Sequence, residues 1–212
     1  VGVGTSSPTQ VLDVNGATRL RGQIYDNTNS QGASGQVLST DTSGQVVWQN
    51  NVAITPTAIG FINSSAPSYK LSNVDYNTGS YVDLPSGKWA VNVYMLIALS
   101  TSATYDPATT PFNPSTGASY WIKTGFSTKS SSFVEANYLT SAKYVSGSLI
   151  GPTGYGLISG LVLINNNSGS TQRYYLWRLQ VDTYGTATKD PYLADFGGTR
   201  WGENQIVAQP IN

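Results

Sequence analysis

The side chains that could do chemistry in this 212-residue chain are carboxylates, amides, hydroxyls and aromatic rings, because neither histidine nor cysteine occurs. Their absence removes thiolate nucleophiles, disulfides, Ser-His and Cys-His catalytic pairs and the usual zinc sites. Carboxylate pairs remain. Asp182 with Glu203, or Asp190 with Asp195, would suit glycoside hydrolysis if the two carboxyls shared a cleft at the separation that chemistry needs. Nothing in their spacing places either pair in such a cleft, and solvated loop carboxylates or partners for Lys and Arg are the simpler reading. No catalytic residue is assigned, and the chain is expected not to be an enzyme. The stretch 189–198 carries two carboxylates spaced for a Ca²⁺ loop, but it lacks the dense oxygen pattern of an EF-hand, so no metal and no cofactor are expected. Gly2 and Gly4 do not lead into a strand-to-helix unit and therefore form no phosphate loop.

The aromatic residues point to recognition. Fourteen tyrosines and five tryptophans accompany only eleven basic and eleven acidic residues. Ring faces stack on the apolar faces of pyranoses while Asn, Asp and hydroxyl groups hold sugar hydroxyls, and the same palette suits a subunit interface. Aromatics on alternating strands, such as Trp89 and Trp177, are expected in the core. Loop aromatics are the better ligand candidates. The polar stretch 101–120 offers Tyr105 and Phe112 among prolines that reduce the entropy lost on binding. A second loop offers Tyr192, Asp195, Arg200 and Trp201. These six residues are the candidate ligand-binding set.

The elements that must position them are strands. A net charge of zero supplies no field for phosphate backbones or anionic lipids, so neither nucleic acid nor membrane insertion is expected. The apolar runs 89–99 and 157–164 have the length of buried strands, not of membrane helices. Residues 1–52 are glycine-rich and weakly apolar. Asn15-Gly16 suits a tight hairpin. Ser34-Gly35-Gln36-Val37-Leu38 recurs as Ser43-Gly44-Gln45-Val46-Val47 before Trp48, which predicts a small two-stranded ribbon. Nothing in this segment is large enough to cover the apolar side of such ribbons, and isolated hairpins are marginal in water. Burial is expected from neighbouring chains, with Val, Leu and Ile on a threefold axis.

From 53 to 212 the pattern changes to longer strands separated by regular turns, the mark of a β sandwich or barrel. Trp89, Val91, Val93 and Met95 share one face of a strand; Tyr175, Trp177, Leu179 and Val181 are expected to share the core face of another, with Tyr174, Leu176, Arg178, Gln180 and Asp182 opposite. Further strands are predicted at 157–164 and 206–211, and turns at 85–87, 165–169 and 197–198. No segment has helical periodicity.

Val1-Gly2-Val3-Gly4-Thr5-Ser6-Ser7-Pro8, then Leu12-Asp13-Val14-Asn15-Gly16 and Gly22, resembles the GIGTxxP…LxVxG repeat of trimeric tail-fibre proteins of bacteriophages and related injection machines. The stretch 34–48 resembles the GQVLxxxGxGxxxW element that often follows it. The order of segments 84–93, 175–181 and the strand after Trp201 is similar to the jelly-roll heads of trimeric complement-like and tumour-necrosis-factor-like proteins. These resemblances imply an all-β homotrimer: a short intertwined β-ribbon fibre segment (1–52), with more shaft upstream, followed by a jelly-roll-like β-sandwich head (53–212). They imply an extracellular place on a virion, as a tail-fibre tip that attaches to a host surface receptor, a glycan above all, and contacts other fibre or virion proteins. A structural adaptor or capsid decoration, a fibre component of an injection system without its own ligand, and a non-viral trimeric adhesin are the alternatives.

Overall fold

The computed structural model describes residues 1–50, 56–66, 68–72, 74–100, 117–150, 155–186 and 191–211. They are all-β, with no helix among them. The chain divides into two compact units, Val1–Thr55 and Pro56–Asn212, a few residues beyond the boundary drawn from composition.

The first unit holds four short strands, β1 (Gly2–Val3), β2 (Asp13–Val14), β3 (Gln36–Thr40) and β4 (Val46–Asn50). β3 and β4 form the expected antiparallel ribbon, with Thr40 opposite Val46. The Asp41 carboxylate closes its turn by accepting from the backbone N–H groups of Ser43 and Gln45 at 2.8 and 2.9 Å. The Asn15-Gly16 hairpin is absent, because that dipeptide follows β2 instead of joining two strands. β1 and β2 pair in parallel, Gly2 opposite Asp13. Asp13 shapes the intervening loop by accepting from the Thr9 N–H and hydroxyl. Trp48 lies against Gly32, whose φ of +74° and lack of a Cβ let the indole approach; its ring N–H donates to the Ile24 carbonyl at 3.1 Å. No described residue of this unit is buried, and Val11 is 92% exposed.

Asp26 ties the first unit together. Its carboxylate accepts from the Thr28 hydroxyl and from the N–H groups of Thr28, Ser30 and Trp48. These donors, the Thr28 hydroxyl foremost, hold its pKa at about 2, below the ordinary 3.8. A depressed carboxylate pKa stabilises above the unfolded value, and that contribution is lost as pH falls from 3.8 through about 2. The Trp48 indole NMR signal should therefore shift over that window. Asp26→Asn should abolish the pH-dependent part, and a signal that stays constant down to pH 2 would refute the assignment.

The second unit contains β5 (Ala58–Ile59), β6 (Tyr69–Lys70), β7 (Tyr76–Leu84), β8 (Gly87–Ser100), β9 (Ser119–Ser127), β10 (Val145–Leu149), β11 (Tyr155–Asn166), β12 (Gln172–Tyr184), β13 (Tyr192–Leu193) and β14 (Gln205–Ile211). Eight of them follow one another around the sheet as β5-β14-β8-β11-β10-β9-β12-β7. The path then closes: beyond β5, Gly60 donates to Ile206 on β14 while Phe61 exchanges both backbone hydrogen bonds with Tyr81 on β7. Inward residues from both halves of this ring share one apolar cluster. Trp89, Val91, Val93, Met95 and Ile97 of β8 meet Val82 and Leu84 of β7, Ile122 and Phe126 of β9, and Tyr174 and Leu176 of β12. The face predicted for β8 is thus its core face.

β12 departs from its predicted alternation. The core face carries Tyr174, Leu176 and Val181, and Arg178 is buried at 1% exposure. Pairing with β9 runs from Tyr175↔Ser127 to Arg178↔Thr124 and resumes at Val181↔Ile122, so β12 has one residue more than its partner there. That bulge reverses the alternation, placing Val181 on the side of Leu176. Trp177 is buried outside the apolar cluster. It packs edge-on against Phe133 at 6.2 Å, and its indole N–H donates to the Lys129 carbonyl at 3.1 Å. On the other side of β12, Gly79 in β7 adopts φ +81° at a second irregularity, and the Thr78 hydroxyl donates to the Leu176 carbonyl at 2.8 Å.

Candidate functional site

One edge of β8 is used by two different strands. β14 pairs along it from Lys88 to Tyr94, and β13 pairs at Leu99 and Ser100. Between these stretches the chain leaves the sheet. The Asn204 amide fills the gap, its Oδ1 accepting from the Leu96 N–H at 2.7 Å and its Nδ2 donating to the Gly198 carbonyl at 2.7 Å. The Ala194 N–H reaches the Ala98 carbonyl at 2.9 Å. The excursion 195–203 is therefore pinned at both ends.

Four predicted site residues lie in β13 and this excursion. Tyr192 is half-buried and paired with Lys70 and Ser100. Asp195 sits at φ +48°, and its carboxylate bends back to accept from the Arg200 N–H at 3.0 Å. Burial pushes its carboxyl pKa up, with the Arg200 N–H and guanidinium opposing. Asp195 thus braces the turn that carries Arg200. The Trp201 ring N–H donates to the Ala194 carbonyl at 3.1 Å, and Tyr155 meets the indole edge-on at 5.8 Å. Tyr105 and Phe112 lie outside the described residues, as does Asp190.

Next to Trp201 the surface is concave. A cleft of about 400 Å³ is lined by Tyr94, Leu157, Gly202, Glu203, Asn204 and Gln205. Tyr94 and Leu157 come from adjacent strands: Tyr94 stands opposite Ser159 of β11 and Gln205 of β14, and Leu157 opposite Leu96. Both point outward and are well exposed. The site therefore joins an exposed aromatic ring and an aliphatic wall to the Glu203 carboxylate and the Gln205 amide, with the Asn204 amide held beneath them by Leu96 and Gly198. Such a set can stack on an apolar face and hold hydroxyls around it.

Tyr94 and Leu157 are not legible as site residues in the sequence, because strand pairing between β8 and β11 is what brings them together. The sequence signal is limited to a tyrosine on the outward side of a strand whose other face is wholly apolar. Asp182 and Glu203 line different cavities, so that carboxylate pair is not brought together. Among the described residues no group of three or more acidic side chains could hold a metal ion. No protein-family model matches the sequence, and no curated protein matches it.

Proposed function

We propose that this chain is the tip of a homotrimeric fibre of the bacteriophage tail-fibre type, exposed on a virion, whose head attaches to a glycan on the host surface. The observation that carries the glycan reading is the cleft beside Trp201, where Tyr94 and Leu157 supply apolar surface and Glu203 and Gln205 supply hydrogen-bonding groups. Among the described residues its lining includes one carboxylate, whereas glycoside hydrolysis uses two. Binding without cleavage is the role those residues suit. The fibre reading rests on the shaft-like motifs of the opening segment.

A jelly-roll head is supported by the ring order β5-β14-β8-β11-β10-β9-β12-β7, which two interlocked Greek keys generate with four strands in each sheet. Threefold association is supported by the first unit, whose valines and leucines find no interior within the chain. It is further supported by an apolar row on the head, where Ile59, Val207 and Leu161 flank Asn92 across β5, β14, β8 and β11. The same row favours the second reading, a structural virion protein that docks another fibre or capsid component there. Three heads on one axis raise avidity by orders of magnitude over a weak single sugar contact.

A glycan array probed with the full chain tests the proposal. A defined set of saccharides should be retained, and Tyr94→Ala should weaken retention about tenfold, a loss of about 1.4 kcal/mol, without changing the oligomeric mass. An array on which nothing binds, or binding indifferent to Tyr94→Ala and Glu203→Gln alike, would remove the cleft from consideration.

A further inference from the structure

Residues 202–205 bring the cleft beside Trp201 most of its polar groups, and their chemistry is lopsided. Asn204 is already committed to the fold: its Oδ1 accepts from the Leu96 N–H and its Nδ2 donates to the Gly198 carbonyl, both at 2.7 Å. Glu203 and Gln205, on either side of it in sequence, are exposed. A carboxylate only accepts, whereas the Gln205 amide and the Tyr94 phenol both donate and accept. Among the described lining residues there is no cation. Arg200 does not line the cleft. Its N–H goes to the Asp195 carboxylate at 3.0 Å, and where burial pushes that carboxyl up, the Arg200 guanidinium pulls it down, so this positive charge is set against Asp195. The outward side of β8 carries its charge at Lys88, six residues from Tyr94 and so about 20 Å along the strand, beyond the screening length at physiological salt.

We propose that this cleft chooses its saccharide by charge, taking neutral and amino pyranoses and turning away acidic ones such as uronic acids. The inference rests on the attachment reading and names the substrate class of that same site. A sugar hydroxyl can donate to Glu203 while another accepts from Gln205, and an ammonium group would pair with the carboxylate. A uronate in the same place meets Glu203 as a like charge. The donors left to it, the Gln205 amide and the Tyr94 phenol, are neutral and do not offset the cost of stripping water from an anion. Like charges about 4 Å apart already shift an equilibrium about fivefold in bulk water, and further where Tyr94 and Leu157 exclude solvent, so discrimination of about tenfold is expected.

The test uses the full chain on an array of matched saccharides, each neutral pyranose printed beside its amino and uronate counterparts and titrated to half-saturation. A retained neutral or amino saccharide should bind at least tenfold more tightly than the uronate of the same stereochemistry, and the ratio should narrow in high salt. Glu203→Gln keeps an acceptor but removes the charge, so the uronate should gain and the ratio should fall to within about threefold. Tyr94→Ala should instead weaken the members of each set alike and leave their ratio standing. An acidic saccharide held as tightly as its neutral counterpart, or a tenfold preference that survives Glu203→Gln, overturns the charge selection while attachment stands. An array that retains nothing overturns the attachment reading and this inference with it.

Discussion

Replacing Trp89 with alanine should destabilise the head by about 3–5 kcal/mol, the cost of emptying a large, fully enclosed aromatic position. Trp89 is 1% exposed, belongs to the apolar cluster that both halves of the ring share, and donates its indole N–H to the Pro85 carbonyl at 2.9 Å. It sits at the start of β8 between Ile164 of β11 and Pro210 of β14. Truncation would therefore open a void where three strands meet and also leave the Pro85 carbonyl without its donor. A domain of ordinary stability has about 5–15 kcal/mol in total, so the variant should sit near the edge of folding. Trp121→Ala is the control. That ring is 44% exposed on β9, and its loss should cost within about 0.5 kcal/mol. Urea unfolding of the full chain, followed by far-ultraviolet circular dichroism, measures both. Equal effects of the two substitutions would contradict the assignment of Trp89 to the interior.

Light scattering should return three times the chain mass for the intact protein, and the mass of one chain, or a concentration-dependent mixture, once residues 1–55 are removed. The reason is physical. Val1, Val3, Val11, Leu12 and Leu20 are all more than half exposed, and no described residue of the first unit is buried. Ribbons as short as β1–β2 and β3–β4 do not persist in water on their own hydrogen bonds. Identical chains around an axis would give those side chains an interior. The Pro56–Asn212 unit has its own core and should stay folded after the cut. An intact chain that runs as a monomer, with amide protons of residues 36–50 protected from exchange, would show that the opening segment needs no neighbours.

How legible these features were depended on whether the physics that fixes them is local. β8 could be read directly because Trp89, Val91, Val93 and Met95 alternate through a strand without irregularity. In β12 the same reasoning put Tyr175 and Trp177 on the core face, where Tyr174 and Leu176 stand, and agreed with the structure only at Val181, since one extra residue against β9 reverses the alternation and periodicity carries no record of a bulge. Trp177 was correctly expected to be buried, yet it is covered by Phe133 and Lys129 on the side away from the apolar cluster. Asn15-Gly16 was visible as a turn-former, but only the fold shows that it follows a parallel pair and that Gly32 makes room for Trp48. In the candidate site, Trp201 and Arg200 were legible as loop residues. Tyr94 and Leu157 were not, because their meeting with Glu203 and Gln205 depends on the pairing of β8 with β11 and β14, a contact more than a hundred residues long in sequence between Tyr94 and Gln205.

The closure made by Ala58–Phe61 bears on how the second unit tolerates crowding. Gly60 and Phe61 fill the gap between β14 and β7, so neither strand offers that stretch of backbone as a template to a stray extended peptide. Many copies held close together would then have little opportunity for strand exchange or fibril growth along that seam. Loosening it, by substitution at Phe61 or Tyr81, is where misassembly would begin.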